Sequence, residues 1–340
     1  MLILAYIGNG KSTNRYHLPY VLIRPEFRVK RIFERRLKKD WDRIDGVDYV
    51  DDKEIIYEDP EIDLVVITTP PATHYDLAKE ALERGKHVLL EKPFTQSLDQ
   101  AEDLFTLAKE KGLFIQAYQN RRFDSDFLTV QKVIESGKLG QVQEVEMHFD
   151  YFRPQVPLET PKYQRMDSFV YGHACHTLDQ VISYFGKPKS YTYDVKQLLG
   201  PGRMNDYFDI DLFYQSPLKV SVKSSYFRIK PRPSFVVYGD RGCFIKASKD
   251  KQETDLKHFY LPGPDHPDFG IDQVEDYGQV TYLDGQGCYH EEKVVSQVGD
   301  YGRLYDGVYA SLVEGEEKLV KDQETLAQIA MLEAVTQDLS

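Results

Sequence analysis

Leu89-Leu90-Glu91-Lys92-Pro93 puts a lysine at the end of a short apolar run. A lysine in such a loop is by default a solvated charge, but the carboxyl end of a parallel strand is the edge at which open α/β sheets bind ligands. Glu91 on one side and a rigidifying proline on the other make the position specific. Gly8-Asn9-Gly10-Lys11-Ser12-Thr13 is the second candidate. Two glycines between a strand and a helix allow a tight turn and the close approach of backbone to a pyrophosphate, which then rests on the helix N-terminus. Thr13 stands where a third glycine would ease helix-to-strand packing. A third group, His173, Cys175 and His176, invites a metal reading. Residues one or two apart diverge around a helix, so the three do not converge on one ion, and no metal is expected.

These residues need elements that place them. Residues 2–7 read as a first strand, a helix over 13–24 stops before Pro25, and residues 27–33 form a second strand. Leu64 to Ile67 reads as a buried third strand ended by Pro70-Pro71. A helix over 74–84 stops at Gly85, residues 87–90 are the next strand, and a helix from Ser97 closes at Gly112 before a strand over 113–118. Strands alternating with helices predict a parallel sheet covered on both faces. After about Arg121 the pattern changes. A helix over 126–136 leads into a long alternating strand over 142–151, and a helix covers 173–185. From Lys189 to about Lys293 almost every run is strand-like, with turns at Gly239-Asp240 and Asp284-Gly285, which predicts a large, mainly antiparallel sheet. The spacing of Leu326, Ile329, Ala330, Leu332 and Glu333 predicts a final helix over 323–339 packed back on the body. The expected fold is an α/β Rossmann domain over 1–120 and an α+β domain with an open sheet over 121–340.

Length and composition bound the function. A chain of 340 residues accommodates two domains. A formal net charge of -12 argues against nucleic acid or an anionic membrane as partner, because both demand concentrated positive charge. A small-molecule substrate is expected instead. Three widely spaced cysteines make no disulfide framework and suit a reducing, cytoplasmic setting. The glycine turn also admits a phosphate-loop reading over Ala5 to Ser12. That reading leaves only Met1 to Leu4 for a central strand, and the strand ending at Ile67 carries no terminal aspartate for magnesium, so it is set aside. At the end of the second strand, Phe33-Glu34-Arg35-Arg36 is divided: Glu34 suits the ribose 2'-hydroxyl of NAD, and Arg35 suits the 2'-phosphate of NADP. NADP is at least accepted on this reading.

The turn Gly8-x-Gly10, the Thr69-Pro70-x-x-x-His74 stretch, Glu91-Lys92-Pro93, Tyr118-Gln119-Asn120-Arg121-Arg122-Phe123 and the segment Gly172 to Asp179 occur in this order. Together they resemble the glucose-fructose oxidoreductase, inositol dehydrogenase and rhizopine-catabolism (Gfo/Idh/MocA) family. The resemblance covers nearly the whole chain. Within the family it is similar to a bacterial branch with the same Gly-Lys-Ser-Thr-x-Arg-Tyr-His-Leu-Pro opening.

The resemblance implies NAD(P)-dependent hydride transfer between nicotinamide C4 and a carbinol or carbonyl carbon of a sugar, polyol or related metabolite. It implies cofactor contacts at Gly8, Asn9, Gly10, Lys11, Ser12 and Thr13, at Glu34 and Arg35, at Thr69, Pro70 and His74, and at Glu91, Lys92 and Asn120. By resemblance Lys92 touches the reacting oxygen, where an ammonium stabilises developing alkoxide charge, and His176 is the acid–base group. Asp179, one helical turn on, is expected to orient that imidazole or bind a substrate hydroxyl, and Arg122, His173 and Tyr163 are further expected substrate contacts. Tyr151, Phe152 and Arg153 are candidate pocket residues. Many members carry an aspartate four residues before the helix histidine. Gly172 stands there, which puts a proton relay through that carboxylate in doubt and makes His173 a possible substitute. An NAD-dependent glycoside hydrolase using transient oxidation and a non-catalytic NAD(P) redox sensor are the alternatives. A homodimer or homotetramer through the second-domain sheet is expected, since a broad sheet with one uncovered face needs a partner.

Overall fold

Leu2–Ile7 (β1) is buried at nearly every position because it occupies the middle of a parallel sheet. The computed structural model describes residues 1–36, 41–160 and 162–339, which form two compact units. In the first unit β1 is joined by Phe27–Phe33 (β2), Asp48–Val50 (β3), Leu64–Ile67 (β4), His87–Leu90 (β5) and Ile115–Ala117 (β6). Their order is β3-β2-β1-β4-β5-β6, every pair parallel. The order reverses between β1 and β4, so the residues following these two strands, Gly8 and Thr68, stand at the switch point where such sheets bind nucleotides. The run 64–67 is thus the fourth strand. The missed strand, β3, is a three-residue edge strand with no fully buried position, too short to show a period.

Helix limits follow local chemistry. Ser97 accepts a hydrogen bond from the Gln100 N–H to cap Leu98–Lys111, and Gly112 ends that helix at φ 65°. The helix after β1 departs from regular geometry. Thr13–His17 is a π-helical turn, and Leu18–Val21 continues it as α-helix. An extra residue in one turn rotates the side chains that follow, and such turns recur at functional sites.

The first unit also contains residues 256–269 and 301–330, whereas the sequence alone divides the chain once, at Asn120. The return of residues 301–330 is driven by burial. Tyr301 and, in the helix Gly302–Tyr309 that follows it, Leu304, Tyr305 and Val308 are buried, and the Tyr305 ring packs edge-on against Phe27 at 5.6 Å.

The second unit covers residues 121–255, 270–300 and 331–339 among those described. Its eight strands are Val142–His148 (β7), Ser190–Lys196 (β8), Tyr207–Phe213 (β9), Lys219–Ser225 (β10), Phe235–Gly239 (β11), Gly242–Lys246 (β12), Gly278–Leu283 (β13) and Tyr289–Val294 (β14). They are ordered β14-β13-β12-β11-β7-β10-β9-β8, antiparallel except for β7 beside β10. The helices Ser125–Glu135 and Cys175–Phe185 belong to this unit, the second preceded by a π-helical turn, Val170–Ala174. The helix Lys251–Lys257 interrupts the run that reads as strand in the sequence. Its Leu256 is fully buried, and Lys251 pairs with Asp255 one turn on. The last helix, Asp322–Val335, is buried on more than one side rather than along a stripe. Among the described residues no helix is long and apolar enough to cross a membrane.

Candidate active site

The glycine turn is built by sterics. Gly8 has φ +123°, and a Cβ there would lie 2.6 Å from Thr68 Oγ1 and 3.0 Å from the Thr68 carbonyl carbon and oxygen. Only glycine brings β1 this close to β4. Thr13 is fully buried, and its hydroxyl meets the Gly8 carbonyl at 2.8 Å and Thr68 Oγ1 at 2.7 Å. In place of the third glycine, Thr13 therefore clamps the turn from inside. At Gly10 a Cβ would meet nothing within 4 Å, so the space there belongs to whatever the turn binds. Ala5 to Ile7 lie within β1, which removes the phosphate-loop reading.

Beside the turn lies a cleft of about 730 Å³ lined by Gly8, Asn9 and Gly10, by Phe33 to Arg36, by Asp51, and by Thr68, Thr69 and Pro70. Glu34 is buried at the end of β2, where Asn9 Nδ2 donates to its Oε2 at 3.0 Å and Arg43 lies 2.5 Å from its Oε1. Asn9 is held in turn by Asn14 Nδ2 at 2.8 Å. Arg35 and Arg36 are exposed, as is Lys11. A dinucleotide suits this site: the volume lies in the range of small-molecule sites, and the helix opening leaves first-turn N–H groups without intrahelical acceptors.

The lysine follows β5. Glu91 is buried, and its carboxylate accepts from three donors: the Ser12 hydroxyl, His17 Nε2 at 3.1 Å, and the Lys92 backbone N–H at 2.8 Å. Burial alone would raise its pKa. The His17 hydrogen bond and charge, the Lys92 charge and the Ser12 bond outweigh that and hold the carboxyl down to about 2. Lys92 itself is half-buried. His74 is buried with Nδ1 2.8 Å from the Pro93 carbonyl and Nε2 3.0 Å from that of Thr69. Burial depresses its pKa, and its place is between the two loops rather than in the cleft. Asn120 is buried at the start of the turn Asn120–Phe123.

In the second unit Arg122 and Asp179 pair with each other. Nε donates to Oδ2 at 2.8 Å and Nη2 to Oδ1 at 2.7 Å, both side chains buried. A bidentate pair of this kind orients both groups and makes each a framework element for the other. His176 is buried near the start of Cys175–Phe185. His173, half-buried in the π-helical turn, lies among aromatic rings, Phe169 at 4.6 Å, Tyr151 at 5.2 Å and Tyr226 at 5.7 Å. The space at the adjacent Gly172 is open, with nothing within 4 Å of a Cβ. The Tyr163 main-chain N–H donates to the Gly202 carbonyl at 2.7 Å, and burial pushes the phenol pKa up. Arg153 and Lys249 both stand over the Tyr151 ring, at 4.7 and 4.1 Å from its centroid.

Sequence reasoning missed Thr68, Asn14, His17 and Tyr305. His17 left a signal as the histidine of the Gly-Lys-Ser-Thr-x-Arg-Tyr-His-Leu-Pro opening, to which no role was attached. Tyr305 left none, because its partners lie about three hundred residues away.

A parallel sheet reversing at a glycine turn, joined to a second unit built on an eight-stranded sheet, defines the class as a dinucleotide-binding oxidoreductase architecture. Residues 3–119 match the NAD-binding Rossmann fold of the Gfo/Idh/MocA oxidoreductase family, and residues 131–340 match its C-terminal alpha/beta domain. The chain belongs to this family. It is 44% identical over 332 residues to the oxidoreductase YhhX of Escherichia coli (strain K12), covering 97% of this chain and 94% of that protein. A crystal structure of the oxidoreductase yhhX superposes with a TM-score of 0.93 at 43% identity, covering 100% of this chain and 98% of that one. The scyllo-inositol 2-dehydrogenase (NADP(+)) IolW of Bacillus subtilis (strain 168) is 30% identical over 331 residues, 96% of this chain and 91% of that enzyme. The chain is thus an NAD(P)-dependent oxidoreductase.

Proposed function

We propose that this enzyme transfers a hydride between nicotinamide C4 and a carbinol or carbonyl carbon of a polyol, sugar or related metabolite, with Lys92 and His176 as catalytic residues. The observation that carries the cofactor half is the cleft at the β1–β4 switch point, glycine-gated at Gly8 and open at Gly10. The bound nicotinamide supplies the hydride acceptor or donor. The turn Gly8 to Ser12 holds the pyrophosphate, while Glu34, Arg35 and Arg36 take the adenosine ribose. Lys92 stabilises negative charge on the substrate oxygen, and the His176 imidazole exchanges the hydroxyl proton. His173 and Tyr163 contact the substrate, and the buried Arg122–Asp179 pair supports their unit. The activity of IolW makes scyllo-inositol with NADP the first substrate to assay.

Titration of NADPH and NADH fluorescence, followed by an absorbance screen of scyllo-inositol, other polyols, sugars and sugar acids, tests the reading. Binding of either cofactor with net, reversible turnover of one of these supports it. Failure to bind either cofactor overturns it, and product formation without net cofactor turnover transfers the protein to the glycosidase mechanism.

A homo-oligomer through the second-unit sheet is part of this proposal, as is a cytoplasmic setting, which three cysteines too few and too widely spaced for a disulfide framework support. Tyr238, Ile245, Leu283 and Tyr289 share one face by strand register and are 41% or more exposed. Ile245→Glu is expected to shift the species seen by light scattering toward monomer; an unchanged mass would exclude that face.

A further inference from the structure

Glu91 is a single carboxylate shared by two loops and one buried histidine. Its Oε1 receives the Ser12 hydroxyl, from the first helical turn after the glycines, and His17 Nε2. Its Oε2 receives the Lys92 main-chain N–H. A carboxylate only accepts, so His17 Nε2 carries the hydrogen of its bond. At the far side of the ring, His17 Nδ1 lies 2.6 Å from the Tyr305 hydroxyl, which lies 3.0 Å from that of Tyr6. The ring is stacked on Tyr118 at 3.9 Å, and the Tyr118 hydroxyl donates to the Tyr16 carbonyl at 2.5 Å. His17, Tyr6 and Tyr305 are fully buried and Tyr118 is 1% exposed, so the histidine has no access to solvent and one rotamer satisfies both of its nitrogens. Packing alone does not call for this arrangement. A phenylalanine at position 17 would fill the same aromatic box, and the carboxylate would then lose a donor where water cannot replace it.

We propose that His17 is a positioning residue that, through the Glu91 carboxylate, fixes the Lys92 backbone and the Ser12 hydroxyl together, so that the catalytic lysine and the cofactor turn are set as one unit. The inference rests on the catalytic reading of Lys92, but its structural half is measurable without turnover. His17 is the last residue of the π-helical turn, and its ring lies inward against Glu91, just after β5, and Tyr305 of the helix Gly302–Tyr309.

The test compares two substitutions that fill similar volume and differ in reach. The glutamine amide extends to where Nε2 stands and still donates to Glu91, whereas the asparagine amide reaches only as far as Nδ1. Hydrogen–deuterium exchange at the Lys92 amide, resolved by fragmentation mass spectrometry, is the direct readout on the whole protein. His17→Asn is expected to speed that exchange about tenfold, the scale of one lost hydrogen bond, while His17→Gln stays within about threefold of the parent. Exchange at Lys92 equal to the parent in His17→Asn, or equally fast in both variants, overturns the proposal in favour of packing alone. If His17→Asn does not fold, Glu91→Gln replaces it, with the same tenfold acceleration expected and parental exchange refuting. With substrate in hand, kcat should fall in His17→Asn and be restored in His17→Gln. Lys92→Ala separates the two ideas. If that variant turns over like the parent, the catalytic reading of Lys92 falls while the exchange result still decides whether His17 holds the loop.

Discussion

Gly8 and Gly10 are two residues apart and should respond to substitution in opposite ways. At Gly8 a methyl group meets Thr68 Oγ1 at 2.6 Å on a backbone at φ +123°. The conformation costs a non-glycine residue about 1–2 kcal/mol, and overpacking against the Thr68 carbonyl, just past a central strand, adds about 1–3 kcal/mol. Gly8→Ala should therefore lower unfolding free energy by about 2–5 kcal/mol. At Gly10 nothing lies within 4 Å of a Cβ, so Gly10→Val should change stability by no more than about 0.5 kcal/mol, as a substitution that meets no neighbour does. Its isopropyl group would instead occupy the space through which a pyrophosphate approaches the helix N–H groups. Each charge-assisted hydrogen bond lost there is worth about 1.5–3 kcal/mol, so losing one or two weakens NAD(P)H by at least about one decade. Urea unfolding and fluorescence titration of NADPH and NADH, run on both variants, give the two readouts. Parental cofactor affinity in folded Gly10→Val would refute the placement of the pyrophosphate, and parental stability in Gly8→Ala would refute the steric argument for the turn.

Lys92→Ala should cost about 2.7–4 kcal/mol in kcat/KM with little change in cofactor affinity, the scale of one oxyanion donor. On the proposed roles of Lys92 and His176, the loss in Lys92→Ala/His176→Ala should be less than the sum of the single losses; strict additivity would separate their roles. Arg35→Ala should weaken NADPH about tenfold more than NADH, because a bidentate guanidinium–phosphate contact is lost only with NADPH, and equal losses would show that Arg35 does not read the 2'-phosphate. Asp126 is buried, and burial first, then the neighbouring Asp250, push its pKa from 3.8 to about 7. Between those values the folded chain keeps a proton that the unfolded chain has given up. Stability therefore declines as pH rises through this window, by about 4 kcal/mol in all if Asp126 carries the whole effect. Asp126→Asn should flatten the urea midpoint between pH values of about 4 and 7 and be more stable than the parent above it. A variant as pH-dependent as the parent would assign the titration elsewhere.

The alternation of apolar runs and amphipathic stretches over the first 120 residues was enough to read a parallel sheet covered by helices, because strand and helix periods are local properties. The glycine turn, the strand-end Lys92 and the cap residues Ser97 and Gly112 were legible for the same reason: each acts on neighbours within a few positions. The edge strand β3 was not, since three half-exposed residues carry no period. The helix Lys251–Lys257 was hidden inside a strand-like run, and its single buried leucine is a tertiary fact. The resemblance implied that Asp179 orients His176, a turn away, or binds a substrate hydroxyl, and folding also brings Arg122 to it across 57 residues. Thr13 looked like a degraded glycine fingerprint, and folding turned it into a clamp on Thr68, 55 residues distant. The chain's third segment, residues 301–330, had no reason to be assigned to the first unit until burial of Tyr305 against Phe27, Tyr118 and His17 closed it there. Residue type and local spacing determined which groups could do chemistry, where along a strand or helix they stand, and the class of cofactor. Which of those groups share a proton, a carboxylate or a buried ring was decided only by tertiary structure, because burial and hydrogen bonding depend on contacts between segments far apart in the chain, and no local pattern encodes them.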